Sequence, residues 1–383
     1  MKRIQDNILC WCENPEEGAV QQAINISKHP WLVGNVCLMP DTHEGYGMPI
    51  GGVVALDSAI CPNMVGVDIG CGMLAVKTSL TDINVNDLKS ILGIIRKAIP
   101  VGFNHHKEKQ EHEIFSELDW EHTAICNNEY DKAQYQLGTL GGGNHFIEIQ
   151  KGDDGHIWFM IHSGSRNLGK KVADHYIGIA KNVCELWKYN ELVKNELCVL
   201  PSHYWGYCAY IDEMKICLAF SNANREVMAK RIKEAFETVI KDVSFEEEVN
   251  IQHNYASLEN HYGKNVWVHR KGATLAREGT IGIIPGSQGT SSYIVRGKGN
   301  EASLCSCSHG AGRKMSRKKA REELNLEDEK KLLDDKGILH AIRSVSDLDE
   351  ASSAYKNIDE VMEQQKDLVD ILVKLEPLAV VKG

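Results

Sequence analysis

A chain of 383 residues with 43% hydrophobic and 25% charged residues has the ordinary make-up of a soluble globular protein with a substantial core. Its net charge of −10 argues against a protein that coats nucleic acid non-specifically, and no apolar run approaches the ~20 residues that cross a bilayer. The first residues, Met1-Lys2-Arg3-Ile4-Gln5-Asp6, contain no signal-peptide core, and 12 cysteines without framework spacing suit a reducing cytoplasm.

Residues 1–38 read as an edge element and a short helix from Pro15 to Lys28, leading to a strand over Trp31–Met39. From Met39 to Val53, glycines 45, 47, 51 and 52 mix with Asp41, His43 and Glu44, which predicts a loop laying backbone beside something polar. A strand over Val53–Ala59 leads to Val65-Gly66-Val67-Asp68-Ile69-Gly70-Cys71-Gly72-Met73. There a carboxylate and a thiol stand three residues apart at a glycine turn, and both are metal ligands when deprotonated. A thiolate is also soft enough to bridge two ions. An isolated D-x-x-C is more often a buried cysteine beside a turn, so the reading depends on histidines further along.

Asp87–Ile99 has the spacing of an amphipathic helix, while residues 103–128, with His105, His106, His112 and His122, read as a solvated, mobile stretch. Gly141-Gly142-Gly143-Asn144-His145 opens a strand on which alternation puts Asn144, Phe146 and Glu148 on one face and His145 on the other. A buried strand, Trp158–Ile161, ends in His162; Gly164 to Lys170 then matches G-x-x-x-x-G-K between strand and helix. A P-loop needs Ser or Thr next, and Lys171 stands there, which rejects that reading. Residues from about 172 to 242 read as mainly helical scaffold broken at Pro201, and Val249–Gln252 is another strand ending in a histidine, His253.

The loop Ile284 to Tyr293, with four hydroxyl side chains before Tyr293, is the kind of nest that holds phosphate or ribose oxygens. Cys305, Cys307 and His309 alternate and imitate a zinc site, but Gly310-Ala311-Gly312 and a basic run favour a free His309 beside a phosphate. That run, Arg313 to Arg321, holds six basic side chains in nine residues. The C-terminal region reads as helical, with Tyr355 near one helix start, and its apolar last residues suggest a tail that docks.

With these motifs in place, from Met39-Pro40-Asp41 to Val381-Lys382-Gly383, the chain resembles the RtcB RNA ligases over nearly its whole length. The resemblance implies joining of RNA 3′-phosphate or 2′,3′-cyclic phosphate ends to 5′-hydroxyl ends with GTP and two Mn²⁺ ions. Carried over by motif, it implies one metal on Asp68, Cys71 and His145 and a second on Cys71, His162 and His253, with the thiolate shared. His309 matches the histidine that becomes guanylylated, and Asp41 the carboxylate that orients it. Asn144, Glu148, Ser287, Ser292, Ala311, Gly312, Tyr355 and Lys382 match positions around the guanylate, and Arg166, Arg313 and Arg317 match positions that hold phosphates and RNA. Gln288 departs from the methionine common there, and the chain is shorter than many members.

The resulting expectation is one α+β domain over residues 1–383, with mixed sheets around a central metal and guanylate site, in a cytoplasmic enzyme independent of membranes. An archease-type activator is a partner the resemblance brings with it. Donor softness alone would suit Zn²⁺, where the resemblance implies Mn²⁺. Two rival readings use the same residues: a zinc-dependent phosphoesterase or nuclease, and an inactive RNA-binding protein of the same fold.

Overall fold

The computed structural model describes residues 1–382 and is an α+β protein built on two large sheets. The first has six strands in the order Lys2–Gln5, Ile8–Cys10, Leu32–His43, Ile50–Leu56, Lys264–Lys271 and Asn254–His261. Ile8–Cys10 and Leu32–His43 run parallel, and the other pairs are antiparallel. The second is wholly antiparallel, in the order Phe245–Gln252, Gly72–Thr78, Ile157–Ser163, Phe146–Gly152, Val369–Lys382, Ser292–Gly297 and Ile281–Ile284. Its two edge strands come close to one another, so the sheet curls around an inner face.

Alternation along these strands decides what the inner face carries. Leu74, Val76, Ile147, Ile149, Phe159 and Ile161 point outward, onto the helix Val85–Ala98 and the long helix Trp205–Val239. Met73, Ala75, Phe146, Trp158 and Met160 point inward. By the same period, Glu148 and His162 belong to the inner face, where polar side chains need partners or a ligand. Strands of the six-stranded sheet are buried on both sides: Val36, Leu38 and Val54 join one core cluster, and Cys37, Met39 and Val53 join another that includes Cys307 and Ala311. Asp41 has the parity of Cys37 and Met39, which turns it toward the segment holding His309.

Several sequence expectations change. The strand expected over Trp31–Met39 continues to His43, and the next strand starts at Ile50, so Asp41 sits on a strand and only residues 44–49 form the loop. Residues 103–128 are not a free stretch: the helices Ile114–Glu117 and Ala124–Gln136 form there, and Trp120 and Cys126 are buried. Buried Glu213 fixes this region by accepting the first N–H groups of the second helix, from Ala124, Ile125 and Cys126, at 2.8–3.2 Å. These are donors that a helix end leaves unpaired. The helical stretch after residue 172 matches the helices Arg166–Leu186, Asn190–Lys194 and Trp205–Val239. No helix among the described residues is long and apolar enough to cross a membrane.

The largest change is at the C-terminus. Helices occur at Leu326–Asp334 and Ile358–Gln364, but Val369–Lys382 is a 14-residue strand inserted between Phe146–Gly152 and Ser292–Gly297. Tyr355 precedes the second helix by three residues and closes a short 3₁₀ turn, Ser352–Ala354. The apolar tail docks because it is an interior strand: Leu375, Ala379 and Val380 are fully buried. A buried, unpaired carboxylate there should be strongly destabilising, so Val380→Asp is expected to lower unfolding free energy by about 3 kcal/mol or more. Denaturant melts of the variant and the parent check this; a change below about 1 kcal/mol would mean that the strand is not interior.

Candidate metal centre and active site

Cys71 lies immediately before the strand Gly72–Thr78, at a turn that needs glycines. Gly70 has φ +76°, and a side chain on Gly72 would overlap the carbonyl of Ile251. The turn is held from behind by two adjacent residues of the long helix. Arg225, fully buried, donates from Nη1 to the carbonyls of Gly70 (3.1 Å) and Ser163 (3.0 Å) and from Nε to Asn250 (2.7 Å). Asn224 accepts from the N–H groups of Gly138 (2.7 Å) and Thr139 (3.1 Å) and donates to the carbonyls of Thr139 (3.1 Å) and Gly164 (3.2 Å). Three loops from distant parts of the sequence are thereby fixed against one another.

Around Cys71 two donor sets form, Cys71–His162–His253 and Asp68–Cys71–His145. Cys71 Sγ stands 3.2 Å from His162 Nε2 and 3.5 Å from His145 Nε2. His162 Nε2 is 3.4 Å from His253 Nε2, and Asp68 Oδ2 is 3.6 Å from His145 Nε2. Donors about 2.0–2.3 Å from one tetrahedral ion lie roughly 3.3–3.8 Å apart, so both sets fit a metal ion. The tautomers fit as well. His145 Nδ1–H donates to the Leu140 carbonyl at 2.9 Å and His162 Nδ1–H to that of Asn144 at 3.1 Å, which leaves each Nε2 lone pair for a metal. The guanidinium of Arg166, 3.3 Å from His145 Nδ1, has no lone pair to offer, so the carbonyl bond decides that tautomer.

The electrostatics of Asp68, His162 and His253 point the same way, and those of Cys71 oppose the thiolate. Burial pushes the Cys71 thiol well above its ordinary range, and the neighbouring Asp68 pushes it further. Burial also pushes His162 and His253 well below the usual histidine range, so both are neutral at pH 7, the form a metal requires. Asp68 is held down at about 2, because the hydrogen bond and charge of His145 outweigh its burial. His253 Nδ1 is buried with no hydrogen-bond partner among the described residues.

His309 follows the short strand Ser306–Ser308 and lies edge-on to His253, with ring centroids 4.9 Å apart. Its Nδ1 is 2.6 Å from Asp41 Oδ2, which also accepts from the backbone N–H of His309 (3.1 Å) and of Gly310 (3.3 Å). Burial alone would raise the Asp41 carboxyl, but His309 holds it below the usual range. An Nδ1–H bonded to a carboxylate leaves the His309 Nε2 lone pair toward the cavity. Cys305 and Cys307 take no part in either donor set. The basic helix starts only at Arg317, so no helix N-terminus adjoins His309; the glycine backbone and arginine side chains are what face it.

A cavity of about 980 Å³ joins these parts. Asn144, Glu148, Ser287, Ala311, Gly312, Tyr355 and Lys382 line it, together with Arg166, Arg313 and Arg317. Ser292 does not; its hydroxyl accepts from Gln150 (3.1 Å) and from the Gly286 N–H (3.1 Å), holding the loop that bears Ser287. Nor does Asp41, which stands behind His309. His145 precedes its strand, which begins at Phe146, so it shares the cavity with Glu148 instead of facing away. Of the six basic residues from Arg313 to Arg321 only Arg313 and Arg317 line the cavity, while Lys318 and Lys319 pair along their helix with Glu322 and Glu323.

Sequence reasoning missed Glu350. Its buried carboxylate accepts from Arg317 Nε (2.8 Å) and the Tyr355 hydroxyl and lies 3.3 Å from Arg313 Nη1, fixing the three together. It missed Lys271 too, whose ammonium donates to the carbonyls of Tyr46 (2.6 Å) and Asn63 (3.1 Å) at the opposite wall. Neither stands in a motif; each is recognisable only from what it touches.

Glu148 yields a test of the electrostatics. Burial raises its carboxyl from 4.5 to about 8, against the opposing effects of Gln150 and Lys382. Between those values the folded protein holds a proton that the unfolded chain has released, so this group's contribution to stability falls as pH rises through the window. Melting temperatures of Glu148→Gln relative to the parent should therefore climb between about pH 5 and pH 8. A difference that stays flat with pH would mean that the carboxyl ionises normally.

A family model described as tRNA-splicing ligase RtcB matches residues 22–122 and 110–383 of this chain. RNA-splicing ligase RtcB of Escherichia coli (strain K12) is 36% identical over 404 residues, covering 96% of this chain and 95% of that protein. tRNA-splicing ligase RtcB of Nanoarchaeum equitans is 32% identical, covering 96% of this chain and 92% of that protein. RNA-splicing ligase RtcB homolog 1 of Entamoeba dispar is 32% identical, with 97% and 83% covered. Since both the family model and these relatives span nearly the whole chain, the protein belongs to the RtcB family.

Proposed function

We propose that this protein is a GTP-dependent RNA ligase, one catalytic unit over residues 1–383, that joins 3′-phosphate or 2′,3′-cyclic phosphate ends to 5′-hydroxyl ends in tRNA splicing or RNA repair. The observation that carries the reading is the His309–Asp41 pair, 2.6 Å apart, set beside two donor sets that share Cys71. A histidine whose Nδ1–H is held by a buried carboxylate presents its Nε2 lone pair as the nucleophile.

In the first step His309 Nε2 attacks the α-phosphorus of GTP; the N–P bond forms, the bond to the β-phosphate oxygen breaks, and pyrophosphate leaves. Asp41 balances the positive charge that the imidazole gains. An RNA 3′-phosphate oxygen then attacks the same phosphorus, the N–P bond breaks, and an RNA-3′-pp-5′-G end is released with His309 restored. Finally the 5′-hydroxyl oxygen attacks the RNA 3′-phosphorus, its proton passes to solvent, and GMP leaves. A cyclic end first takes up one water to open to the 3′-phosphate. Arg313 and Arg317, held by Glu350, and Arg166 suit the phosphates; Glu148, Ser287, Tyr355 and Lys382 suit the guanine and ribose, with Asn144, Ala311 and Gly312 supplying backbone and amide contacts.

Asp68, Cys71 and His145 would hold one ion, and Cys71, His162 and His253 the other, and two Mn²⁺ ions bound there supply Lewis-acid stabilisation of charge on the transferring phosphoryl group. The softness of this donor set also suits Zn²⁺, the feature a zinc phosphoesterase would share. A zinc hydrolase that uses a metal-activated water as its nucleophile forms no covalent guanylate, so label retained on His309 separates the two readings. An archease-type activator and a cytoplasmic site of action belong to the same proposal; the free state of all 12 cysteines suits a reducing compartment.

Incubation with α-labelled GTP and Mn²⁺, followed by denaturation, tests the reading. The parent should keep acid-labile label on the protein and His309→Ala should keep none. Asp41→Asn should label roughly ten- to a hundredfold more slowly, the effect of losing a charge-assisted hydrogen bond. Label retained by a folded His309→Ala protein would end the nucleophile assignment, and an unlabelled parent would favour the phosphoesterase or the inactive RNA-binding protein.

A further inference from the structure

A second cavity, of about 420 Å³, opens beside the first and shares Asp68, Phe103 and Arg166 with it. His105 and Lys170 line it as well. Phe103, in its wall, is fully exposed at 107% and packs into none of the hydrophobic clusters. The backbone carrying it is nevertheless pinned on both sides. Gly102 N–H donates to the Gly141 carbonyl (2.8 Å), Leu140 N–H to that of Pro100 (3.0 Å), and His106 N–H to that of Tyr135 (3.0 Å). A fixed turn therefore presents an aromatic face to solvent beside the metal donors, at no use to the fold.

The direction of this groove matters. The donors form a row: His309 lies against His253, His253 against His162, then Cys71, His145 and Asp68. His309 adjoins the donor set that holds His253, and the groove adjoins Asp68 of the other set. Displacement at phosphorus proceeds with the attacking and leaving oxygens roughly in line. With guanylate leaving on the His309 side, the attacking strand arrives from the Asp68 side, where the groove begins.

We propose that this groove seats the 5′-hydroxyl RNA strand, with Phe103 as the stacking platform for a base near its terminus and Arg166 and Lys170 toward its first phosphates. The proposal rests on the ligase reading above. Lys170 now pairs with Asp174 at 2.5 Å on the exposed surface, a partner a phosphate oxygen can replace. Stacking accepts any base, because every base has a π-face, and single-stranded ends offer their bases to aromatic side chains. Phe103 is thus a positioning residue for the strand and takes no part in the chemistry at His309.

The test uses the full chain with Mn²⁺, GTP, a 3′-phosphate strand and a 5′-hydroxyl strand carrying 2-aminopurine as its first base. In Phe103→Ala the KM for the 5′-hydroxyl strand should rise roughly five- to a hundredfold, as loss of one stacked base implies. Quenching of 2-aminopurine on binding should disappear, and Phe103→Trp should restore both. Protein guanylylation and formation of the RNA-3′-pp-5′-G end should keep the parent rates. Unchanged KM and quenching in an active Phe103→Ala protein would overturn the proposal, as would an equal rise in KM for both strands. Should the parent take up no guanylate, the ligase reading itself fails, and quenching by the 5′-hydroxyl strand alone then decides whether the groove binds it.

Discussion

The rest of the site depends on one buried thiol. Cys71 is common to both donor sets, and its surroundings oppose its ionisation: burial and the nearby Asp68 both disfavour the thiolate. Arg225 adds a permanent positive charge nearby, but it is the lesser effect. A cation in either set reverses the balance, since a coordinating thiol is deprotonated outright. In the proposed two-ion site, metal binding and thiolate formation would therefore be one event, and a second ion would meet a ligand that the first had already charged. That would couple the two donor sets through a single sulfur, with neutral histidines and one carboxylate as the remaining donors.

Holding that sulfur in place is the work of elements with no chemistry of their own. The long helix Trp205–Val239 looks like scaffold, yet its adjacent Asn224 and Arg225 tie the Cys71 turn to the loops at Gly138 and Gly164. Both side chains are fully buried and satisfied by several partners, the condition under which a buried polar network fixes one arrangement. On the far side, strand parity carries Asp41 to His309 and Glu148 to the cavity wall. The site is where the open end of a curled sheet meets the six-stranded sheet, and each contributes what its alternation dictates.

Much of this was legible in the sequence because most of the ligands stand at strand ends next to glycines, where a side chain leaves the sheet and the backbone can turn. Cys71, His145 and His162 have that setting, Asp68 lies in the same glycine turn as Cys71, and His253 ends its strand with no glycine nearby. The last strand was not legible as such. Pro377 interrupts Val369–Lys382, the register shifts beside it, and alternation is clean only from Val373 to Ala379. Asp41 reads as a loop residue because glycines follow it closely, although the strand ends only after His43. Glu350 and Lys271 were invisible for a different reason: their roles come from partners far away in sequence, which no local pattern encodes.

The most direct test of the shared thiolate is metal counting by elemental analysis on the purified chain and two variants. Sharing predicts two Mn²⁺ per parent chain, near-complete loss of both in Cys71→Ala, and about one retained in His253→Ala, whose donor set alone is broken. Two-ion occupancy in a folded Cys71→Ala protein would contradict the account, because the sulfur could not then be the ligand on which both sites depend.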